Sequence, residues 1–239
     1  DIMLAIDVST SMLAEDLKPN RLEAAKDVAA EFINGRPNDN IGITLFAGET
    51  FTQCPLTVDH AVLLDMIHNI KCGLITDGTA VGMGIANAVT RLKDSKAKSK
   101  VIILLTDGTN NKGDISPMTA AEIAKSFGIR VYTIGVGTNG MAPYPYPVGN
   151  TVQYVSMPVE IDEKTLTEIA GTTDGNYFRA TSNSKLKEVY EEIDKLEKTK
   201  LNVKEYSKRD EEYHWFALAA FLCVLLEVLL RNSVLKKIP

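Results

Sequence analysis

The sequence predicts an α/β protein: a doubly wound, mostly parallel sheet with one antiparallel edge strand, followed by a C-terminal transmembrane helix. Three observations carry this. Residues 2–6 and 101–105 are unbroken apolar runs, the pattern of strands covered by helices on both faces. Strand-like and helix-like segments alternate as far as residue 197, which argues for parallel strands joined by crossover helices. Residues 215–230 are apolar except for Glu227, and extension to 235 supplies the roughly 20 residues a membrane span needs.

The elements follow in order. After the first strand, Asn20 with Glu23 three residues on reads as a capped helix start. Leu22, Ala25, Val28, Ala29 and Phe32 give that helix one apolar face, and Gly35 stops it. Residues 41–46 form the second strand. The run 51–56 contains Pro55, and proline confines a strand to a sheet edge. Asp59 caps a helix reaching about residue 70. Residues 73–78 form a loop leading to Thr79, and Val81, Ile85, Ala88, Val89 and Leu92 line the next helix. Residues 93–100 form a basic, solvated connector. Thr119 to Glu122 has capping-box spacing, with the helix ending at Gly128.

Residues 130–136 form the fifth strand. The glycines at 135, 137 and 140 match a dinucleotide fingerprint, but Pro143, Pro145 and Pro147 exclude the helix that such a site requires. Residues 140–159 instead predict a hairpin insert. Tyr144 and Tyr146, set between its prolines, are candidate partner contacts, with an ordinary packed hairpin as the plainer alternative. Asp162 opens a helix through 170, residues 175–180 form the last strand, and Leu186, Val189, Ile193 and Leu196 mark a helix over 185–196. Domain boundaries follow: an α/β domain over 1–197, a charged linker over 198–213, a transmembrane helix over 214–235 and a basic tail over 236–239. Tyr213 and Trp215 suit one membrane interface, and Arg231, Lys236 and Lys237 the other. Glu227 needs a partner within the span, such as Arg231.

The chain has 239 residues and a net charge of −5, which does not suit a nucleic-acid partner. Three cysteines, Cys54, Cys72 and Cys223, are too few for a disulfide scaffold. Cys54 and Cys72 flank a helix of about 18 Å, so two reduced thiols are expected and a bridge is the alternative. His60, His68 and His214 are scattered and make no ligand cluster. The chain begins at Asp1, almost on the first strand, so an upstream segment is expected.

The chemistry concentrates after the first strand. Asp7, Ser9 and Ser11 alternate in a loop at a strand's carboxyl end, where open α/β sheets carry ligand sites. A carboxylate and two hydroxyls are hard donors that suit Mg2+ or Mn2+. Asp107 ends the strand that begins at 101, and Thr79 precedes a helix. Asp-x-Ser-x-Ser, a later Thr and a strand-end Asp, in that order, resemble the metal-ion-dependent adhesion site of von Willebrand factor A domains. Residues 13–21 and the Phe46, Ala47, Gly48 turn are similar to the bacterial Bat aerotolerance proteins of the BatA/BatB type.

The resemblance implies a von Willebrand A fold and a metal set of Asp7, Ser9, Ser11, Thr79 and Asp107. The ion it implies is Mg2+, with Mn2+ or Ca2+ as alternatives, and a partner's carboxylate would complete its shell. It implies a non-enzymatic protein-interaction module in the bacterial inner membrane, its A domain facing the periplasm. Other Bat proteins and a MoxR-type ATPase are the implied partners, in stress tolerance. Two alternatives stand beside it. One is a membrane scaffold that assembles through its transmembrane helix, the metal being purely structural. The other is an Mg-dependent phosphohydrolase with Asp7 as nucleophile, although Ser9 occupies the place of the acid such enzymes use.

Overall fold

The computed structural model describes residues 1–108, 110–148, 151–159 and 161–206, together with Leu218, Ala220, Val224 and Glu227. The chain divides into two compact units, Asp1–Glu197 and Lys198–Pro239, and the sheet and the candidate site belong to the first.

Its strands are β1 (Ile2–Asp7), β2 (Ile41–Phe46), β3 (Thr50–Thr57), β4 (Val101–Thr106), β5 (Arg130–Val136), β6 (Gly140–Val148), β7 (Thr151–Val159) and β8 (Tyr177–Ala180). The helices are α1 (Arg21–Asn34), α2 (His60–His68), α3 (Val81–Leu92), α4 (Pro117–Ser126), α5 (Glu163–Thr172) and α6 (Asn183–Tyr206). Six strands form one sheet in the order β3-β2-β1-β4-β5-β8. Only β3 is antiparallel, at the edge where Pro55 places it.

The apolar runs of β1 and β4 hide a period of two. Ile2, Leu4, Ile6, Val101, Ile103 and Leu105 face the core shared with α1, α2 and α6. Met3, Ala5, Ile102 and Leu104 face the core shared with α3 and α4. Both faces are covered, so both phases are apolar and the alternation disappears from the sequence.

Helix starts follow from side-chain caps. Asn20 accepts from the Glu23 N–H at 2.8 Å, and Asp59 and Asp162 cap α2 and α5 in the same way. For α4 the cap is Ser116, whose Oγ accepts from the Thr119 N–H at 3.1 Å, with Pro117 in the first turn. The capping box expected at Thr119 is therefore displaced upstream, because proline is itself well suited to that first turn. Helix α6 continues past residue 196 to Tyr206, through the first part of the stretch expected as a linker. Residues 197–206 contain no glycine or proline, and loss of an apolar face does not by itself end a helix rich in Lys and Glu. The predicted membrane helix over 214–235 lies outside the described residues except at four positions. Among the described residues, no helix is long and apolar enough to cross a membrane.

Cys54 and Cys72 are both free, in line with the reduced reading. Gly140–Val148 and Thr151–Val159 pair as the expected antiparallel ribbon, a two-stranded sheet of its own.

One close approach positions the start of α3. A Cβ on Gly82 would lie 2.1 Å from the Ile115 carbonyl oxygen. Gly to Ala inside a helix ordinarily stabilises by about 0.5–1 kcal/mol. Here Gly82→Ala is expected to destabilise by about 1–3 kcal/mol through overpacking. Urea denaturation reads the sign, and a raised midpoint would contradict the packing described.

Candidate metal centre

Strand β1 pairs in parallel with β2 on one side and β4 on the other, Ile6 lying opposite Leu105. The chain leaves the sheet in opposite directions after these neighbours, so a crevice opens at their carboxyl ends. Asp7 and Thr106 come side by side there. The Thr106 hydroxyl donates to Asp7 Oδ2 at 2.6 Å, and the Ser9 N–H donates to Asp7 Oδ1 at 2.9 Å.

A single 3-10 turn, Thr10–Leu13, folds the loop over the strand end. It brings Ser9 Oγ to 3.0 Å from Ser11 Oγ, and Ser11 Oγ donates to Asp107 Oδ1 at 2.8 Å. Ser9, Ser11 and Asp107 are thus joined oxygen to oxygen, and Asp7 is tied to them through the Ser9 backbone N–H. Thr79 reaches the same rim from the α3 side. A methyl added at Gly108 would sit 3.4 Å from Thr79 Oγ1, so the hydroxyl packs against the turn that follows Asp107. Asn111 holds the Thr79 backbone, its Oδ1 accepting from the Thr79 N–H at 2.9 Å. Asp77 clamps the two loops together by accepting from the Thr10 N–H and hydroxyl at 3.0 and 2.7 Å.

The structure adds residues that spacing did not single out. Arg21, 1% exposed, sits behind the oxygens at the first position of α1. Its Nη1 donates to Asp107 Oδ2 at 2.6 Å, while Nε and Nη2 donate to Asp16 at 2.7 and 2.6 Å. Asp16 in turn accepts from the Thr138 N–H at 2.8 Å. Gly137, at φ 125°, leaves room for the guanidinium, since a Cβ there would lie 2.5 Å from Arg21 Nη2. These contacts join loops from three parts of the chain, and only the run 13–21 hinted at them.

Burial pushes the Asp7 carboxyl up to about 7, the charge of Asp107 adding to it. Burial also raises Asp107, against the pull of Arg21. Burial would raise Asp16 as well, but Arg21 and the Thr138 N–H hold it below the ordinary carboxylate value. The Cys72 thiol donates to the Ser9 carbonyl at 3.4 Å, and burial and the nearby carboxylates push it up to about 12.

A prediction follows for the metal-free protein. Asp7 keeps its proton in the fold up to about pH 7 and loses it near 3.8 when unfolded. The folded state binds more protons between those values, so stability falls as pH rises from about 4 to 7. Melting temperatures in EDTA should decline across that window, and added Mg2+ should recover them at its neutral end. A flat profile in EDTA would show that Asp7 is not the buried acid described.

Tyr144 and Tyr146 lie on β6, beside the Ser11 turn. His60 contacts the Asp39 carbonyl at 3.0 Å, away from the oxygens, and His214 lies outside the described residues. Among the described residues, no group of three or more His, Cys, Asp or Glu side chains could hold a metal. The hydrogen bonds bring together two carboxylates and the Ser9 and Ser11 hydroxyls, and the Thr79 hydroxyl lies beside Gly108. Every donor is a hard oxygen, which fits a hard divalent cation.

Comparison with known proteins places the fold. The von Willebrand factor type A domain model matches residues 1–192. An uncharacterized protein of Borreliella burgdorferi is 28% identical over the whole chain, which spans 70% of that relative. A UPF0353 protein of Mycolicibacterium paratuberculosis is 32% identical over 79% of the chain, which spans little more than half, 58%, of that relative's length. Among solved structures, BatB from Bacteroides thetaiotaomicron superposes with a TM-score of 0.73 at 35% identity, covering 82% of this chain and 98% of that one. An aerotolerance-related membrane protein from Bacteroides fragilis gives 0.70 at 34% identity, with 81% and 98% covered. Proximal thread matrix protein 1 from the mussel byssus, with a zinc-occupied adhesion-site motif, gives 0.64 at 25% identity over 82% of this chain and 45% of that one.

Proposed function

The chain belongs to the von Willebrand factor type A domain family, and to the Bat type within it. On that premise we propose a membrane-anchored interaction module that binds a partner protein's carboxylate through a divalent cation held by Asp7, Ser9, Ser11, Thr79 and Asp107.

The observation that supports this best is the hydrogen-bonded link between the Ser9, Ser11 and Asp107 oxygens, with Asp7 held beside them by the Ser9 N–H. Arg21 is shared between Asp16 and Asp107, so the oxygen rim carries uncompensated carboxylate charge that a divalent cation would neutralise. A bound divalent cation supplies an electropositive open coordination position that a carboxylate can fill. The chain's own residues do the rest. Thr106 and the Ser9 N–H orient Asp7, Arg21 orients Asp107, and Asp77 holds the Ser11 turn against the Thr79 loop. The all-oxygen donors favour Mg2+ over zinc, with Mn2+ or Ca2+ the other hard candidates.

Membrane anchoring rests on the apolar stretch within 214–235 and on the membrane-protein description of the Bacteroides fragilis neighbour. The Bat likeness makes other Bat proteins and a MoxR-type ATPase the partners to test, in an aerotolerance complex with the A domain facing the periplasm. A binding role is favoured over phosphoryl chemistry because Ser9 stands where the second acid would be needed.

The test is capture of co-expressed Bat proteins and the MoxR-type ATPase by the detergent-solubilised chain, in Mg2+ and in EDTA. Capture that requires Mg2+ and is lost as well in Asp7→Ala would place recognition at the five oxygens. Capture unchanged by EDTA would point instead to a scaffold that assembles through residues 214–235.

A further inference from the structure

The β6–β7 hairpin stands apart from the main sheet and leaves a groove against the turn that follows β1. The groove encloses about 310 Å3, at the small end of the range for ligand pockets. Ser11 and Ala14 form one wall, and Tyr144, Tyr146, Met157 and Pro158 the other. Ser11 belongs to both places, since its hydroxyl donates to Asp107. The groove is therefore continuous with the oxygen rim.

Register explains the composition of the hairpin wall. Pro143, Pro145, Pro147 and Pro158 all fall in one phase of the ladder, opposite Ser156, Tyr154, Val152 and Met141. Proline has no N–H, so these are the pairs whose N–H and C=O positions point out of the ribbon. The Pro143 carbonyl points outward to accept from the Glu15 N–H at 2.9 Å, fixing the hairpin to the turn. The other phase sets Ala142, Tyr144 and Tyr146 opposite Met157, Val155 and Gln153, a face that is apolar apart from Gln153. Much of that face is uncovered: Tyr146 is 56% exposed, Val155 47% and Met157 43%. No charged side chain is among the described residues lining the groove. Contiguous exposed apolar surface marks an interaction site, and Tyr and Met are favoured at the cores of interfaces. The proline-fixed backbone and the bonds from Glu15 and to Asp16 preorganise the wall, which lowers the cost of binding.

We propose that this groove receives a large apolar or aromatic side chain two residues from the metal-seeking carboxylate in an extended acidic segment of the partner protein. The occupant follows from continuity: one turn presents Ser11 to the oxygen rim and, together with Ala14, to the groove. Side chains two positions apart on an extended peptide share a face and lie about 7 Å apart, so a side chain two residues from the carboxylate falls beside the rim. The inference rests on the adhesion-site reading above and adds the sequence chemistry of the ligand.

The test uses the full chain in detergent with Mg2+ and a displayed library of random heptapeptides around one fixed central Glu. The selected peptide is then titrated against the wild type, a Tyr146→Ser, Met157→Ser double variant, and Asp7→Ala. The expected result is enrichment of Phe, Trp, Leu or Met two positions from the fixed Glu. Affinity should drop about tenfold or more in the double variant, with its Mg2+ titration and melting temperature unchanged. Binding should be lost in EDTA and in Asp7→Ala. Enrichment of acidic peptides with no apolar residue at that spacing, or equal binding by the double variant, overturns the groove proposal and leaves the metal reading standing. Peptide binding that survives both EDTA and Asp7→Ala overturns both. A change of oligomeric state on light scattering in the double variant would assign the groove to a second copy of the chain and overturn the peptide assignment.

Discussion

Replacing Asp7 with asparagine should remove Mg2+ binding while leaving the metal-free protein at least as stable at neutral pH. The side chain is fully buried and has two partners, the Ser9 N–H on Oδ1 and the Thr106 hydroxyl on Oδ2. Asparagine keeps an acceptor for the first. Its amide can donate to the second, because a threonine hydroxyl can reverse its role. The shape and hydrogen bonds survive, and only the charge goes. That charge is costly without a cation, since burial and Asp107 raise the carboxyl to about 7. The decline in melting temperature from pH 4 to 7 in EDTA should therefore flatten in Asp7→Asn. Calorimetric titration should show Mg2+ affinity reduced by about a hundredfold or more, the effect of losing a charged ligand worth about 3 kcal/mol. Capture of partners should fall with it. An asparagine variant that bound Mg2+ as the wild type does would remove Asp7 from the site.

The fold was legible where local chemistry and topology agree. The unbroken apolar strands announced two covered faces, Pro55 announced an edge, and the prolines after Gly140 excluded a nucleotide site. The oxygen set was legible because three of its members lie within one turn and the other two next to strand and helix ends. What stabilises that set was not. Arg21 meets Asp107 across 86 positions, and Asp77 meets Thr10 across 67, and no periodicity connects residues so far apart. Arg21 reads from sequence as an ordinary first-turn residue after a cap. Its burial becomes visible only when the Gly137 turn is seen to leave space for it. Similarly, the proline phase of β6 is plain in sequence, but the groove it creates depends on where the hairpin docks.

The second large effect should come from Arg21→Met. The guanidinium is 1% exposed and serves two carboxylates, Asp16 through Nε and Nη2 and Asp107 through Nη1. Methionine fills much of the volume but leaves both acids buried without a cation. Breaking a buried ion pair from one side costs about 3–5 kcal/mol, mostly as the penalty on the group left behind. Urea denaturation at pH 7 in EDTA should show a loss of that order. The loss should shrink in acid, and the sign can be worked out. With Arg21 present, the folded Asp16 carboxyl lies below its ordinary value, so its contribution to stability is present at neutral pH and is lost as pH falls. Without Arg21, both carboxyls titrate higher in the fold, and protonation relieves them. Mg2+ should recover part of the loss by compensating Asp107, but not the part that belongs to Asp16. Asp16 also anchors the Thr138 N–H at the base of β6, so amide exchange in the hairpin should quicken in Arg21→Met even with Mg2+ bound. Gly137→Ala should reproduce the pattern, because its Cβ would collide with the guanidinium and its φ is 125°. A variant without Arg21 that unfolds at the wild-type urea concentration would mean that Asp16 and Asp107 are held by something else.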